Sequence, residues 1–582
     1  MAKGFYRRLA WNNLRRSRDV CLPYMIATAI ISSVFFLTVG LALSDKLSSV
    51  PAGKTTQGMF AMAIGLFAVF AVEFMAYINN FLVKRRKKEF GLYGVLGLSK
   101  SHVGRVLLWE NGMTIGIGVL AGMAFSLVFG RLLFLLLLKL IRAAPDSAFS
   151  IGPKAYILTG ILFLFIYVAT SVYNLVQIRL SNPIELLHSE KEGDKPDSKF
   201  LVPAAVTGFV LLGAAYYYAW TIKVSTAALG LFFPLALLVI LATCLLFTSG
   251  SIVVLRMLRA NKRVYYKLKN FVSISGMFHR MRQNAAGLAV ICILSTMLVV
   301  TVSTTLALYL GQESILKETY PGYDVAVSLY RGALDDTTGA KREAAVEKLG
   351  KQLDGQIEAL CKHYGVETEK LDLPAQRIQD ASLEGSGSGW YYDKVQYFDH
   401  CAYAGGRFVL KLNAGQTEGL AFSKAFDEAC MSLAGDGISW TNSVYNSRQQ
   451  GYAVYGGLLF LGAFFGILFL AVTVLLIYFK QVTEGHEDKE RFEILQKVGM
   501  DESQVRSTIN RQILWVFFLP LGMTFLHMVF ASRIIARMLE CFLIYDWTLT
   551  ISCAAGVCAV FALLYLIVYR ATAKTYFKIV KW

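Results

Sequence analysis

Ten stretches of the chain are apolar for 21 residues or more: Cys21–Leu43, Gly58–Leu82, Gly112–Leu138, Ala155–Ile178, Phe200–Ile222, Val224–Leu255, Asn284–Gly311, Gly451–Phe479, Gln512–Ser532 and Trp547–Tyr569. A helix crossing a bilayer needs about 20 such residues. Seven of the ten carry no Asp, Glu, Lys, Arg or His, and the exceptions are Glu73, Arg131 and His527. Between the seventh and eighth stretches the pattern changes. Val346, Leu349, Leu353, Ile357 and Leu360 recur at helical spacing, "DVAVSLY" and "RFVLKLN" alternate as strands do, and "EGSGSG" (Glu384–Gly389) reads as a flexible loop. The expected fold class is an α-helical integral membrane protein with ten spans and one small α+β domain, residues 312–450, between spans 7 and 8.

The chain also repeats itself. A shift of 402 positions brings Phe90 onto Phe492, Gly97 onto Gly499, Ser101 onto Ser503 and Val103 onto Val505. Leu92/Ile494, Leu96/Val498 and Leu98/Met500 keep apolar character in the same register. One copy joins spans 2 and 3, the other spans 8 and 9. Each reads as a helix that leaves the membrane, stops and restarts. Gly97 and Gly499 suit the left-handed residue that ends a helix. Ser99 and Asp501 suit the N-cap of the next, and Asp501 with Gln504 resembles a capping box. A weaker echo, "AWNNLRRSR" against "MFHRMRQNA", precedes spans 1 and 7. The expected organisation is a four-helix unit (1–190), two inserted spans (191–265), span 7 opening a second unit (266–311), the domain (312–450) and spans 8–10 (451–582).

Charge sets the expected orientation. With the N-terminus inside, the inner segments hold 35 Lys and Arg, the outer side nine (eight in the short loops and Arg131 near the outer end of span 3) and the long loop 14. Lys and Arg favour the cytosolic side, so both termini are expected in the cytosol and the domain outside. The long loop carries 20 acids against those 14 bases, a balance of −6 within a chain of net charge +18. The basic residues cluster at membrane ends, so no nucleic-acid partner is needed to explain them. The first span is 23 uncharged residues, long enough to remain as a span rather than a cleaved leader.

Candidate chemistry is sparse. "SSVPAGKT" (Ser48–Thr55) ends like a phosphate-binding loop, but Ser stands where that loop needs its first Gly, and it follows a membrane span rather than a strand. No metal spacing exists among the seven His, and no metal site is expected. Cys361, Cys401 and Cys430 lie in the domain, where a disulfide is permitted but one thiol is left over. Glu73 and His527 are intramembrane polar groups. Glu73 can answer a cation, a proton or a lipid amine, or simply form one helix–helix hydrogen bond; His527 is open to the same two readings. Arg533 and Arg537 share a helix face. Arg533 lies 21 residues, roughly 31 Å, beyond Gln512, at the outer headgroup level. With Arg131 they form a candidate lipid-phosphate site, against the plainer reading of snorkelling.

"EGHEDKERFEILQKVGMDESQV", the following "INRQILWVFFLPL", "RKKEFGLYGVLGLSKSHV" and "LSNPIELL" (Leu180–Leu187) resemble the permease subunits of BceB-type antimicrobial-peptide resistance ABC transporters, within the FtsX/MacB-like superfamily of permeases. The resemblance covers nearly the whole chain. The domain is shorter than is typical of that family, which leaves drug specificity open. The resemblance implies a membrane permease subunit of a Gram-positive bacterium that is not itself an enzyme. A separate ABC ATPase, in two copies, would bind the elbows at Phe90, Gly97, Ser99, Phe492, Gly499, Asp501 and Gln504. That ATPase would hold ATP and Mg, leaving this chain without a cofactor. A peptide antibiotic, a lipid-linked wall precursor and a sensor histidine kinase are the other implied partners. Two alternatives remain: an FtsX- or lipoprotein-release-like mechanotransmission protein, against which ten spans argue, and a receptor acting mainly on the kinase.

Overall fold

The computed structural model describes residues 4–50, 52–85, 89, 92–93, 98–144, 149–180, 200–266, 268–329, 340–371, 395–404, 407–432, 438–497 and 502–580. Helices α1 (Phe5–Arg16), α2 (Arg18–Ala42), α3 (Asp45–Ser49), α4 (Gly53–Arg85), α5 (Lys100–Leu140) and α6 (Pro153–Leu180) make the first part. Then come α7 (Leu201–Thr221), α8 (Ser225–Leu245), a π turn (Leu246–Gly250), α9 (Ser251–Ala260), α10 (Lys262–Tyr265), α11 (Leu268–Leu310) and α12 (Gln312–Thr319). The domain contributes α13 (Ala340–Tyr364) and α14 (Gln416–Ser432) with six strands, and α15 (Val444–Lys497), α16 (Glu502–Glu540) and α17 (Trp547–Val580) close the chain. Among the described residues, ten helices are long and apolar enough to cross a membrane. Spans 1 to 4 are α2, α4, α5 and α6, spans 5 and 6 are α7 and α8–α9, and spans 7 to 10 are α11, α15, α16 and α17. Several helices run past the apolar stretch that announces them: α5 begins at Lys100, well before Gly112.

The two units use the same pairings. Span 1 packs on span 3 as span 7 packs on span 9, and spans 1–2 and 2–4 recur as spans 7–8 and 8–10. The α2–α5 contact is close because small residues line it. Gly118 of α5 lies against Thr28, Gly122 against Ser32, and the hydroxyls of Ser33 and Ser126 are 2.9 Å apart. Small residues let helix backbones approach where lipid removes the usual apolar driving force. The inserted α7 and α8 pack on each other and on α16.

The domain is an antiparallel sheet of β1 (Val325–Leu329), β2 (Glu367–Glu369), β3 (Gln396–Tyr397), β4 (Ala402–Ala404), β5 (Arg407–Asn413) and β6 (Ile438–Ser443). The strand order is β3-β4-β5-β1-β6, with β2 also on β5. The two alternating stretches of the sequence pair directly, Val325 opposite Leu410. Val346, Leu349, Leu353 and Ile357 of α13 are buried in the domain core with Val327, Phe408, Phe422 and Phe426. The entry and exit of the domain meet: the Val444 amide donates to the Asp324 carbonyl at 2.7 Å. Strand β6 therefore passes into α15 without a loop.

Candidate functional site

Spans 2 and 8, the matching helices of the two units, lie side by side at the centre of the membrane region. Phenylalanines interleave along them. Phe60 meets Phe460 with ring centres 5.9 Å apart. Phe67 stacks on Phe465 at 4.0 Å, with planes 6° apart. Phe70 sits edge-on to Phe465 and Phe469, at 5.7 and 5.5 Å. Phe81 stacks on Phe479 at 5.0 Å. Most of these separations fall in the favourable range for aromatic pairs. At the domain end the Thr56 hydroxyl donates to the Ala453 carbonyl at 2.9 Å. The ladder thus runs nearly the whole crossing.

Polar clusters hold both ends of α15. At the domain end, Glu313 of α12 accepts from Arg448 at 3.2 Å and from the Tyr452 hydroxyl at 3.0 Å. Arg142, from the span 3–4 connection, stands 3.7 Å from Glu313 and lies over the Tyr452 ring at 3.6 Å. Arg142 has φ +52°, a left-handed conformation that a non-glycine residue takes only under constraint. Beside it, a side-chain carbon at Gly456 would stand 2.8 Å from the Leu140 carbonyl oxygen, so α15 and the end of α5 touch backbone to backbone. At the other end, Lys480, Gln481, Glu484 and Asp488 of α15 are buried. Lys480 lies 3.9 Å from Glu484, and the Tyr576 hydroxyl donates to Asp488 at 2.6 Å. Pairing is what permits ionisable groups in such a place.

Of the sequence-predicted residues, Phe90, Gly97, Gly499 and Asp501 lie outside the described residues, and Phe492 and Gln504 are described only as helical backbone. Ser99 precedes α5 in an extended conformation, but its hydroxyl bonds Ser101 and His102 side chains, each at 2.9 Å, rather than a backbone amide. His527 is buried in α16 and joins three helices. The Thr243 hydroxyl donates to Val239, so it accepts from Nε2–H of His527 at 3.1 Å, and Nδ1 accepts from the Tyr216 hydroxyl at 2.6 Å. Spans 5 and 6 are thereby pinned to span 9. Arg533 and Arg537 are brought together around Trp547, at 4.3 and 5.1 Å from its ring, with Trp220 also 5.5 Å from Arg533. Arg537 is committed to Glu540 at 2.8 Å, and Glu540 further accepts from Ser225 and Trp547. Arg131 is exposed on α5, which packs on α1, α2, α6 and α15, whereas α16 packs mainly on α7, α8, α11 and α17 and, of the neighbours of α5, only lightly on α15. The third arginine is thus held apart. Glu73 is exposed on α4 at a groove facing α6.

The family described as FtsX-like permease C-terminal matches the chain twice, over residues 61–183 and 463–576. These are spans 2–4 and spans 8–10, the halves that repeat in space. Each half of the chain thus carries an FtsX-like permease region, and the chain is similar to permeases of the BceB type. Relatives agree along its length. An uncharacterised ABC transporter permease of Bacillus subtilis, YvcS, is 23% identical over 649 aligned residues, covering 97% of this chain and 98% of that protein. The bacitracin export permease BceB of B. subtilis is 22% identical, covering 90% and 93%. BceB of Halalkalibacterium halodurans is also 22% identical, covering 90% and 92%.

In this FtsX-like permease the Gly53-Lys54-Thr55 segment opens α4, and the short α3 packs onto it, with the Leu47 carbonyl against Gly53. A short helix, not a strand, precedes the segment, so it lacks the strand–loop–helix setting of a phosphate-binding loop. All nine cysteines are free thiols. Burial pushes Cys430 up to about 12 and Cys401 higher, as inert apolar packing groups. Sequence reasoning missed the aromatic ladder, the Glu313–Arg142 junction and the buried Lys480–Asp488 cluster. The ladder had a visible signal, since Phe60, Phe67, Phe70, Phe74 and Phe81 fall at helical spacing. The junction had none, because Arg142 and Glu313 are 171 positions apart.

Proposed function

We propose that this permease confers resistance to cell-wall-targeting antimicrobial peptides. A separate ABC ATPase, bound in two copies at the elbows and holding ATP and Mg, drives release of peptide from lipid-linked wall precursors. The same cycle signals to a sensor histidine kinase. The domain lies outside the cell and both termini in the cytosol, in keeping with the Lys and Arg bias. The observation that carries the coupling is α15. It is one helix of 54 residues, roughly 80 Å long, running from the last strand of the domain to Lys497 beside the second elbow. A rod of that length, zipped to span 2 by aromatic rings, moves as a unit. The names of the bacitracin export relatives support the substrate class. Arg533, with no ion pair among the described residues, is the arginine left to meet a lipid phosphate. The test is reconstitution with the partner ATPase and measurement of hydrolysis with and without bacitracin. Stimulated hydrolysis supports the proposal. A stable complex whose hydrolysis ignores bacitracin and other wall-directed peptides overturns the resistance reading.

A further inference from the structure

A groove of about 430 Å³ opens between α4 and α6, lined by Val72, Glu73, Ala76 and Asn80 on one side and Ala169 and Tyr173 on the other. Several of its polar groups are fixed by one another. Asn79 and Asn174 exchange amide hydrogen bonds at 2.7 and 3.1 Å, and the Tyr173 hydroxyl donates to Asn80 at 3.0 Å. Glu73 is different. It is exposed on the same face as Met62 and Val69, which are 83% and 63% exposed, and among the described residues it forms no hydrogen bond or ion pair. It lies ten residues, roughly 15 Å, from the Val83 end of its span. That is close to the middle of a hydrocarbon layer about 30 Å thick. A carboxylate there calls for a cationic partner.

We propose that this groove docks one transmembrane helix of a partner protein, whose Lys or Arg side chain pairs with Glu73. Depth decides for a helix over a lipid. The amine of a phospholipid headgroup sits at the membrane surface, roughly 15 Å from Glu73, whereas a basic residue in a span reaches the same depth directly. The floor suits a helix as well, because Ala76 and Ala169 let a neighbouring backbone come close. A second copy of this chain fits poorly. Arg131 lies nine residues from the Leu140 end of its span, while Glu73 lies twenty from the equivalent end at Gly53, a mismatch of roughly 16 Å. The inference is independent of the peptide and ATPase reading above.

The test uses the full permease in phosphatidylcholine vesicles. The probes are labelled peptides, helices of about 20 leucines carrying Lys, Glu or no polar residue at the centre. Association is read by energy transfer. The Lys peptide is expected to bind the wild type about tenfold more tightly than the all-Leu peptide, the order of one interhelical polar contact. Glu73→Gln is expected to erase that difference, and Glu73→Lys to transfer the preference to the Glu peptide. Glu73 is exposed, so these variants are expected to fold; equal monodispersity in detergent checks it. Equal binding of Lys and Leu peptides by the wild type overturns the proposal, as does discrimination that survives Glu73→Gln. Spin-labelled phosphatidylethanolamine added to the same vesicles tests the lipid source. Glu73-dependent enrichment of that lipid, without peptide discrimination, overturns the helix assignment.

Discussion

Phe67 and Phe465 are stacked nearly parallel at 4.0 Å, and Phe465 also meets Phe70 and Phe469. Truncating a buried Phe to Ala in a soluble core costs about 3–5 kcal/mol, much of it transfer to water. In a bilayer the exposed surface meets lipid instead, and mainly the packing share remains. Each single change, Phe67→Ala or Phe465→Ala, is therefore expected to cost less than that soluble-core figure. The coupling between the two is expected at about 0.5–1.5 kcal/mol, the range for paired rings beyond area burial. The assay is a double-mutant cycle on reversible unfolding of the permease in bicelles. Variants at Phe209, which is 72% exposed and outside the ladder, serve as the control. Additivity of Phe67→Ala and Phe465→Ala within about 0.3 kcal/mol, the behaviour of independent sites, would refute an energetic join of spans 2 and 8.

Replacing His527 with Phe leaves the Tyr216 hydroxyl without its acceptor and the Thr243 oxygen without its donor. We expect a loss of about 1–3 kcal/mol and faster proteolysis of the span 5–6 connection, with the second unit still folded. Gly456→Val is expected to force α15 from the Leu140 backbone, seen as lost cross-linking between cysteines placed at Leu140 and Gly456 neighbours. The Asp324 carboxyl is held above its ordinary value of 3.8, by burial first, although the Leu412 amide bonds it and opposes the shift. The folded domain thus binds this proton more tightly than the unfolded chain. The contribution is fully present below 3.8 and is lost as pH rises through the folded value. Hydrogen exchange of the domain in the intact protein should show that decline, and Asp324→Asn should flatten it.

What could be read from the sequence follows the range of the interactions. Membrane spans are local, so ten apolar stretches announced ten helices, though not where each helix ends in water. The α13 face was legible because Val346 to Ile357 keep one period. Strands β1 and β5 were legible singly, but their pairing across some 80 residues, with β6 added on the other side of β1, was not. Aromatic residues are ordinary on any face of a span, so the Phe67–Phe465 register needed the structure. Charge similarity made Arg131 look like a partner of Arg533 and Arg537; packing separates them, and Glu540, outside the apolar stretch, takes up Arg537. Glu73 and His527 looked alike in sequence. One is buried between three helices, and the other faces the groove.

The central claim is that the domain drives the elbows through the uninterrupted α15. The most direct measurement is bacitracin-stimulated ATP hydrolysis by the permease–ATPase complex after three glycines are inserted between Ser443 and Val444, where β6 becomes α15. The membrane ladder lies clear of that joint, so basal hydrolysis is expected to persist; Val444 and Tyr445 belong to the domain core, so peptide binding by the variant is measured alongside and is expected to be retained. The account predicts that stimulation disappears. Stimulation undiminished by the flexible joint would contradict it.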